Sequence, residues 1–238
     1  MGNGASSSQV IRLWRFEVKF ASEDQSVVVF AEKEASLREK KKKIPLATYS
    51  TVIETDYSVS ADPEGGIVGL CLWPGAVAFS SYLLANPELV QGKAVLELGC
   101  GVGLPSLVMG KFLNPKNVIL TDRSSLRTPV ELGVHANQLH EICSFEPFDW
   151  GCSDDLAIFR SKNFDLVVAT EVVYAEEMAP LLNALLAATA CGDPIVLLFY
   201  TLRSDPDREY LERLLEQFSL LARNDSVFVL KKRGVPAV

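Results

Sequence analysis

The chain has 238 residues, of which 48% are hydrophobic and 22% charged, with a formal net charge of −7. That length fits one generous domain or a domain with an extension, and so apolar a chain excludes wholesale disorder. The acidic balance argues against a broad nucleic-acid-binding surface, and the lack of an uninterrupted apolar run of about 18 residues argues against a membrane-spanning helix.

The first residues, Met1-Gly2-Asn3-Gly4-Ala5-Ser6, have neither the cationic start nor the apolar run of an export signal. They fit M-G-x-x-x-[ST], the pattern for myristoylation of Gly2. One acyl chain holds a membrane only marginally, so a second signal is needed, and the basic run at 38–43 (REKKKK) is the candidate. The expectation is a cytoplasmic protein with a weakly membrane-associated fraction if Gly2 is acylated. Five cysteines, widely spaced and without a C-x-x-C pair, give neither a disulfide framework nor a metal site. They read as thiols in a reducing compartment.

After a flexible end at 1–10, residues 12–20 and 26–31 read as two strands joined by the polar run Ser22-Glu23-Asp24-Gln25, a hairpin. Residues 32–66 are charged and turn-rich, including Asp62-Pro63-Glu64-Gly65-Gly66, and read as a long connection. The hairpin and this connection form a segment over 11–68. From residue 69 to about 233, short apolar runs alternate with helical patterns.

The runs at 94–98, 118–121, 164–169 and 195–200 are nearly all apolar, as parallel strands buried on both faces must be. Between them Met178, Leu181, Leu182 and Leu185 fall at helical spacing. So do Leu211, Leu214, Leu215 and Phe218, with Asp205 as cap and Pro206 at the first helical position. A late strand at 226–230 follows the turn Arg223-Asn224-Asp225. The pattern predicts a Rossmann-like, doubly wound α/β fold. It has a mostly parallel sheet, an antiparallel strand near the C-terminus and an N-terminal β-hairpin extension.

The most informative stretch is Val95-Leu96-Glu97-Leu98-Gly99-Cys100-Gly101-Val102-Gly103-Leu104-Pro105, a strand running through three glycines into a helix near Pro105. Glycines let the backbone turn tightly against a ligand, and the helix N-terminus offers free N–H groups to an anionic group. About 20 residues on, Asp122 ends the next strand, where a carboxylate can accept both hydroxyls of a ribose. The strand, loop, helix and acid together indicate an adenosine-containing cofactor. Glu97 chooses between cofactors. A pyrophosphate gains nothing from a neighbouring carboxylate, whereas S-adenosyl-L-methionine carries an ammonium and a sulfonium that do.

At these residues the chain resembles the class I, seven-strand S-adenosylmethionine-dependent methyltransferases. Within them it resembles methyltransferase family 16, whose members methylate lysines of non-histone proteins. The resemblance rests on the glycine loop, Leu72-Trp73-Pro74 with Tyr82-Leu83-Leu84, Thr121-Asp122, Phe148-Asp149-Trp150-Gly151 and Glu171-Val172-Val173-Tyr174. It implies a seven-stranded sheet and a protein substrate with a lysine acceptor. It implies that Trp73 lines the methionine end of the pocket, Gly99, Cys100 and Gly101 wrap the cofactor, and Asp122 holds the ribose. Trp150 would pack on the adenine, and Thr170 would close the pocket.

The family motif after strand four usually begins with Asp, whereas this chain has Glu171, one methylene longer. Glu171 is expected to orient the incoming amine, and Tyr174 to wall the channel or accept the amine's hydrogen bond. Other readings are transfer to arginine or a small molecule on the same fold, a catalytically weak cofactor-binding scaffold, and a nicotinamide-dependent dehydrogenase, which Glu97 and Trp150-Gly151 disfavour.

Overall fold

The computed structural model describes residues 9–20, 25–32, 48–59, 68–173, 179–201 and 205–234. Gly2, the basic run at 38–43, Tyr174 and Met178 lie outside the described residues. Among the described residues, ten strands form two sheets. β1 (Gln9–Lys19), β2 (Ser26–Glu32) and β3 (Thr48–Val59) make the smaller one, in the order β2-β1-β3. The larger sheet contains β4 (Ala94–Leu98), β5 (Asn117–Asp122), β6 (Cys143–Pro147), β7 (Leu166–Thr170), β8 (Ile195–Phe199), β9 (Phe218–Asn224) and β10 (Val227–Lys232).

The large sheet runs β6-β5-β4-β7-β8-β10-β9. β4 pairs in parallel with β5 and β7, β5 with β6, and β7 with β8, while β10 is antiparallel to both β8 and β9. Among the described residues six α-helices flank it: α1 (Pro74–Ala85), α2 (Leu104–Phe112), α3 (Arg127–Ala136), α4 (Ser153–Arg160), α5 (Ala179–Ala188) and α6 (Asp205–Gln217).

The nearly all-apolar strands serve two cores at once. Val95, Leu166, Val168, Leu197 and Phe199 join the core under α1, α2 and α3, whereas Leu96, Leu98, Val167, Ala169, Val196 and Leu198 join the core under α4, α5 and α6. Alternate residues of one strand point to opposite faces, so a strand covered on both sides is apolar nearly throughout, with Glu97 of β4 the exception. Phe218 keeps its helical-period place in the second core, but the chain has already left α6 and entered β9 there.

The hairpin of β1 and β2 is present, with Lys19 opposite Ser26. The connection read over 32–66 needs correcting, because Thr48–Val59 is a third strand antiparallel to β1. Its sequence TYSTVIETDYSV is rich in β-branched and aromatic residues, which favour strands, but it lacks a clear apolar alternation. The small sheet is held to the large one by β2, whose residues 27–31 are all buried. Asn137, just after α3, is buried there: its Nδ2 donates to Val28 O (2.7 Å) and its Oδ1 accepts from Val28 N (3.1 Å).

Candidate active site

In the large sheet the chain winds from β4 outward to β5 and β6, then crosses back to β7 on the other side of β4. The direction of winding therefore reverses beside β4, and ligands of open α/β sheets bind at such a point, beyond the carboxyl ends of the strands. A cavity of about 420 Å³ lies there. Trp73, Glu97, Gly99, Cys100, Gly101, Asp122, Trp150, Thr170 and Glu171, scattered over almost a hundred positions, all line it.

The loop between β4 and α2 is shaped by backbone conformations that side chains resist. Gly99, Gly101 and Gly103 have φ of 66°, 53° and 79°. A β-carbon on Gly101 would lie 3.0 Å from Gly69 O, and one on Gly99 would lie 2.8 Å from Val172 Cγ1 and 3.1 Å from Trp150 Cζ2. Bulk at either glycine would fill the cradle as well as strain the turn. Cys100 N donates to Thr121 O (2.9 Å), and Thr121 Oγ1 donates to Glu97 O (2.6 Å), so the end of β5 braces the loop. Burial pushes the Cys100 thiol up, with the Asp122 and Glu97 carboxyls adding to the effect, so it stays neutral.

Asp122 closes β5. Its Oδ2 accepts from Gly101 N (2.8 Å) and its Oδ1 from Arg123 N (2.8 Å). Each carboxylate oxygen can accept more than one hydrogen bond, so both can still take a hydroxyl from the cavity. Burial raises its pKa above the ordinary carboxylate range against these two N–H groups.

Glu97 is the unusual group. It sits on the α2 side of β4, 1% exposed, with apolar Leu120 and Val168 as its neighbours in register. Ser106, buried in the first turns of α2, donates its hydroxyl to Glu97 Oε2. Burial raises the Glu97 pKa to about 8, against the hydrogen bonds from Ser106.

Trp73 stands at the N-terminus of α1, where its carbonyl accepts from Ala76 N (3.1 Å). Trp150 follows β6 in a turn fixed by Asp149, whose Oδ1 accepts from Gly151 N (2.9 Å) and whose own N–H donates to Asp155 Oδ2 (2.8 Å). Four buried polar atoms at the cavity have no hydrogen-bond partner among the described residues: Glu97 Oε1, Ser125 Oγ, Trp150 Nε1 and Thr170 Oγ1. Orphaned polar atoms are costly inside a protein, so four around one cavity fit a ligand rich in polar groups. A buried acid beside a left-handed glycine loop fits an ammonium next to a carboxylate, and Asp122 fits a ribose. The donor set therefore matches S-adenosyl-L-methionine.

Sequence reasoning missed Cys71, Ser106, Arg123 and Ser125. Only Ser106 carried a signal: a serine inside the apolar helix LPSLVMGKF, directly after the glycine loop and close to a buried acid.

Residues 55–217 match a family model described as lysine methyltransferase. The protein N-lysine methyltransferase METTL21A of Danio rerio is 30% identical over 156 residues, covering 64% of this chain and 70% of that protein. The protein-lysine N-methyltransferase EFM6 of Saccharomyces cerevisiae is 30% identical over 148 residues, covering 57% and 60%. Among solved structures, the 16S rRNA N2 G1207 methyltransferase RsmC of T. thermophilus, in complex with AdoMet and guanosine, superposes with a TM-score of 0.55. At 18% identity, covering 93% of this chain and 51% of that one, it shares the fold. The chain thus belongs to the lysine methyltransferase family, methyltransferase family 16, whose cofactor is S-adenosyl-L-methionine.

Proposed function

We propose that the cavity is divided between a cofactor side, under β4 and β5, and an acceptor side, at the ends of β7 and β8, where a lysine of a non-histone protein is methylated. The observation that carries this reading is that Glu97, Asp122 and the glycine loop share one cavity with Glu171. When bound, S-adenosyl-L-methionine supplies a sulfonium methyl group to an attacking amine.

The chain's own residues do the rest. Gly99, Cys100 and Gly101 present backbone to the cofactor, and Glu97 Oε1 accepts from its ammonium. Asp122 accepts from the ribose hydroxyls. The Trp150 face takes the adenine, Trp73 lines the methionine end, and Thr170 closes the pocket. An indole face gives a purine a large apolar contact. A free lysine amine has a pKa of about 10.4, and burial beside aromatic and aliphatic walls lowers it. Glu171 orients that amine by hydrogen bonding, which is positional work. Tyr174 is assigned the channel wall on sequence grounds. The widely spaced cysteines, without a C-x-x-C pair, support a cytoplasmic enzyme, and myristate labelling with and without Gly2→Ala tests the acylation on which a membrane-associated fraction depends.

Incubation with labelled S-adenosyl-L-methionine and cell lysate, followed by mass mapping of the acceptor, tests the assignment. Label on a lysine side chain is expected. Label on arginine or a small molecule, or no transfer by a protein that binds the cofactor, contradicts it.

A further inference from the structure

Four non-glycine residues have left-handed backbone among the described residues: Asn114, Gln138, Glu171 and Asp225. Of these only Glu171, at φ 53°, lines the cavity. Such a conformation persists only where its surroundings over-determine it. Here the surroundings are two strand ends and a helix start. The register pairs Thr170 with Phe199, and Glu171 N donates to Phe199 O (2.9 Å), carrying the β7–β8 ladder one residue past the strand. Two residues beyond Phe199, Thr201 Oγ1 donates to Glu171 Oε1 (2.8 Å). From the other side comes the first turn of α1. A β-carbon on Gly75 would lie 2.3 Å from Glu171 Cγ and 2.5 Å from Glu171 Oε1. Glycine is disfavoured inside a helix relative to alanine, and at this place it leaves the room that the glutamate side chain occupies.

We propose that Thr201 and Gly75 are positioning residues for Glu171. The hydroxyl holds one carboxylate oxygen, the missing β-carbon makes space for the side chain, and together they fix how the carboxylate faces the cavity. The proposal rests on the reading of Glu171 as the group that orients the acceptor amine. Thr201 is exposed, so losing its hydroxyl leaves the cores intact.

The test measures transfer from tritiated S-adenosyl-L-methionine to heat-treated cell lysate, together with calorimetric binding of S-adenosyl-L-homocysteine and thermal midpoints. Thr201→Val should lower turnover about tenfold, the scale of one hydrogen bond to a charged group, with binding and midpoint unchanged. Thr201→Ser should restore turnover to within about twofold of the parent. Gly75→Ala should lower turnover at least as far, again with binding of S-adenosyl-L-homocysteine unchanged. Parental turnover in Thr201→Val and Gly75→Ala, with Glu171→Ala inactive, overturns the positioning and leaves the role of Glu171 standing. So does a loss of binding that matches the loss of turnover. Full turnover in Glu171→Ala itself overturns the underlying reading.

Discussion

Around the cavity, the β4–β5 side is shaped mainly by backbone conformation and the β7–β8 side mainly by side chains. On the first, left-handed glycines, a bond from Cys100 N to Thr121 O and a bond from Gly101 N to Asp122 set the shape. On the second, a strained glutamate is caught between a threonine hydroxyl and a bare glycine. A backbone-built wall tolerates almost no substitution and suits a ligand common to a whole family. A side-chain-built wall can be retuned by single residues, which suits a surface that meets a particular protein.

The strongest way to break this contrast is Gly101→Val. It places a branched side chain at φ 53° with its β-carbon 3.0 Å from Gly69 O. Binding of S-adenosyl-L-homocysteine, measured by calorimetry, should fall by about a hundredfold or more. Glu97→Gln comes next, with a loss of about tenfold to a hundredfold from removing one charged partner of an ammonium.

The same variant should change stability in the opposite sense. Burial raises the Glu97 pKa from an ordinary 4.5 to about 8. Between those values the native state holds more protons than the unfolded one, so stability falls as pH rises through that window. Thermal midpoints from pH 5 to 9 should drop in the parent and drop less in Glu97→Gln. Asp122 is shifted in the same direction, so its contribution has the same sign. An ammonium beside Glu97 favours its ionised form, so cofactor binding near pH 7 should release a proton and strengthen towards pH 8. Calorimetry in buffers of different ionisation enthalpy checks this.

Trp150→Phe sharpens the comparison more gently. It keeps an aromatic face but removes the unpartnered Nε1, and should weaken binding about threefold to tenfold. The smallest effect on the site is expected from Asn137→Ala. It cuts the bonds to Val28 that tie the small sheet to α3, and should lower stability by about 2 kcal/mol in chemical denaturation. Binding of S-adenosyl-L-homocysteine should stay within about twofold of the parent, because Asn137 is outside the cavity lining.

The two walls also differ in how they can be read from sequence. Glycines at left-handed positions between a strand and a helix leave a local signature, as does an acid closing the next strand, so Gly99, Gly101, Glu97 and Asp122 are legible. So are the strands β4, β5, β7 and β8, whose burial on both faces forces nearly continuous apolar runs. Gly75 and Thr201 meet Glu171 across separations of 96 and 30 positions, and nothing local marks them. Ser125 carries no pattern that separates it from any loop serine. β3 was hidden because its partner, β1, lies in the centre of the small sheet and supplies the pairing that the weak alternation of β3 does not advertise. The family match begins at residue 55, inside β3, so β1 and β2 precede the part of the chain that the family defines.

The division of the cavity is tested most directly by titrating S-adenosyl-L-homocysteine into the parent protein, Glu97→Gln and Glu171→Ala in parallel with turnover. The account predicts one site per chain in the parent, weakened binding in Glu97→Gln, and parental binding with lost turnover in Glu171→Ala. Absence of binding to the parent, or loss of binding in Glu171→Ala equal to its loss of turnover, would contradict it.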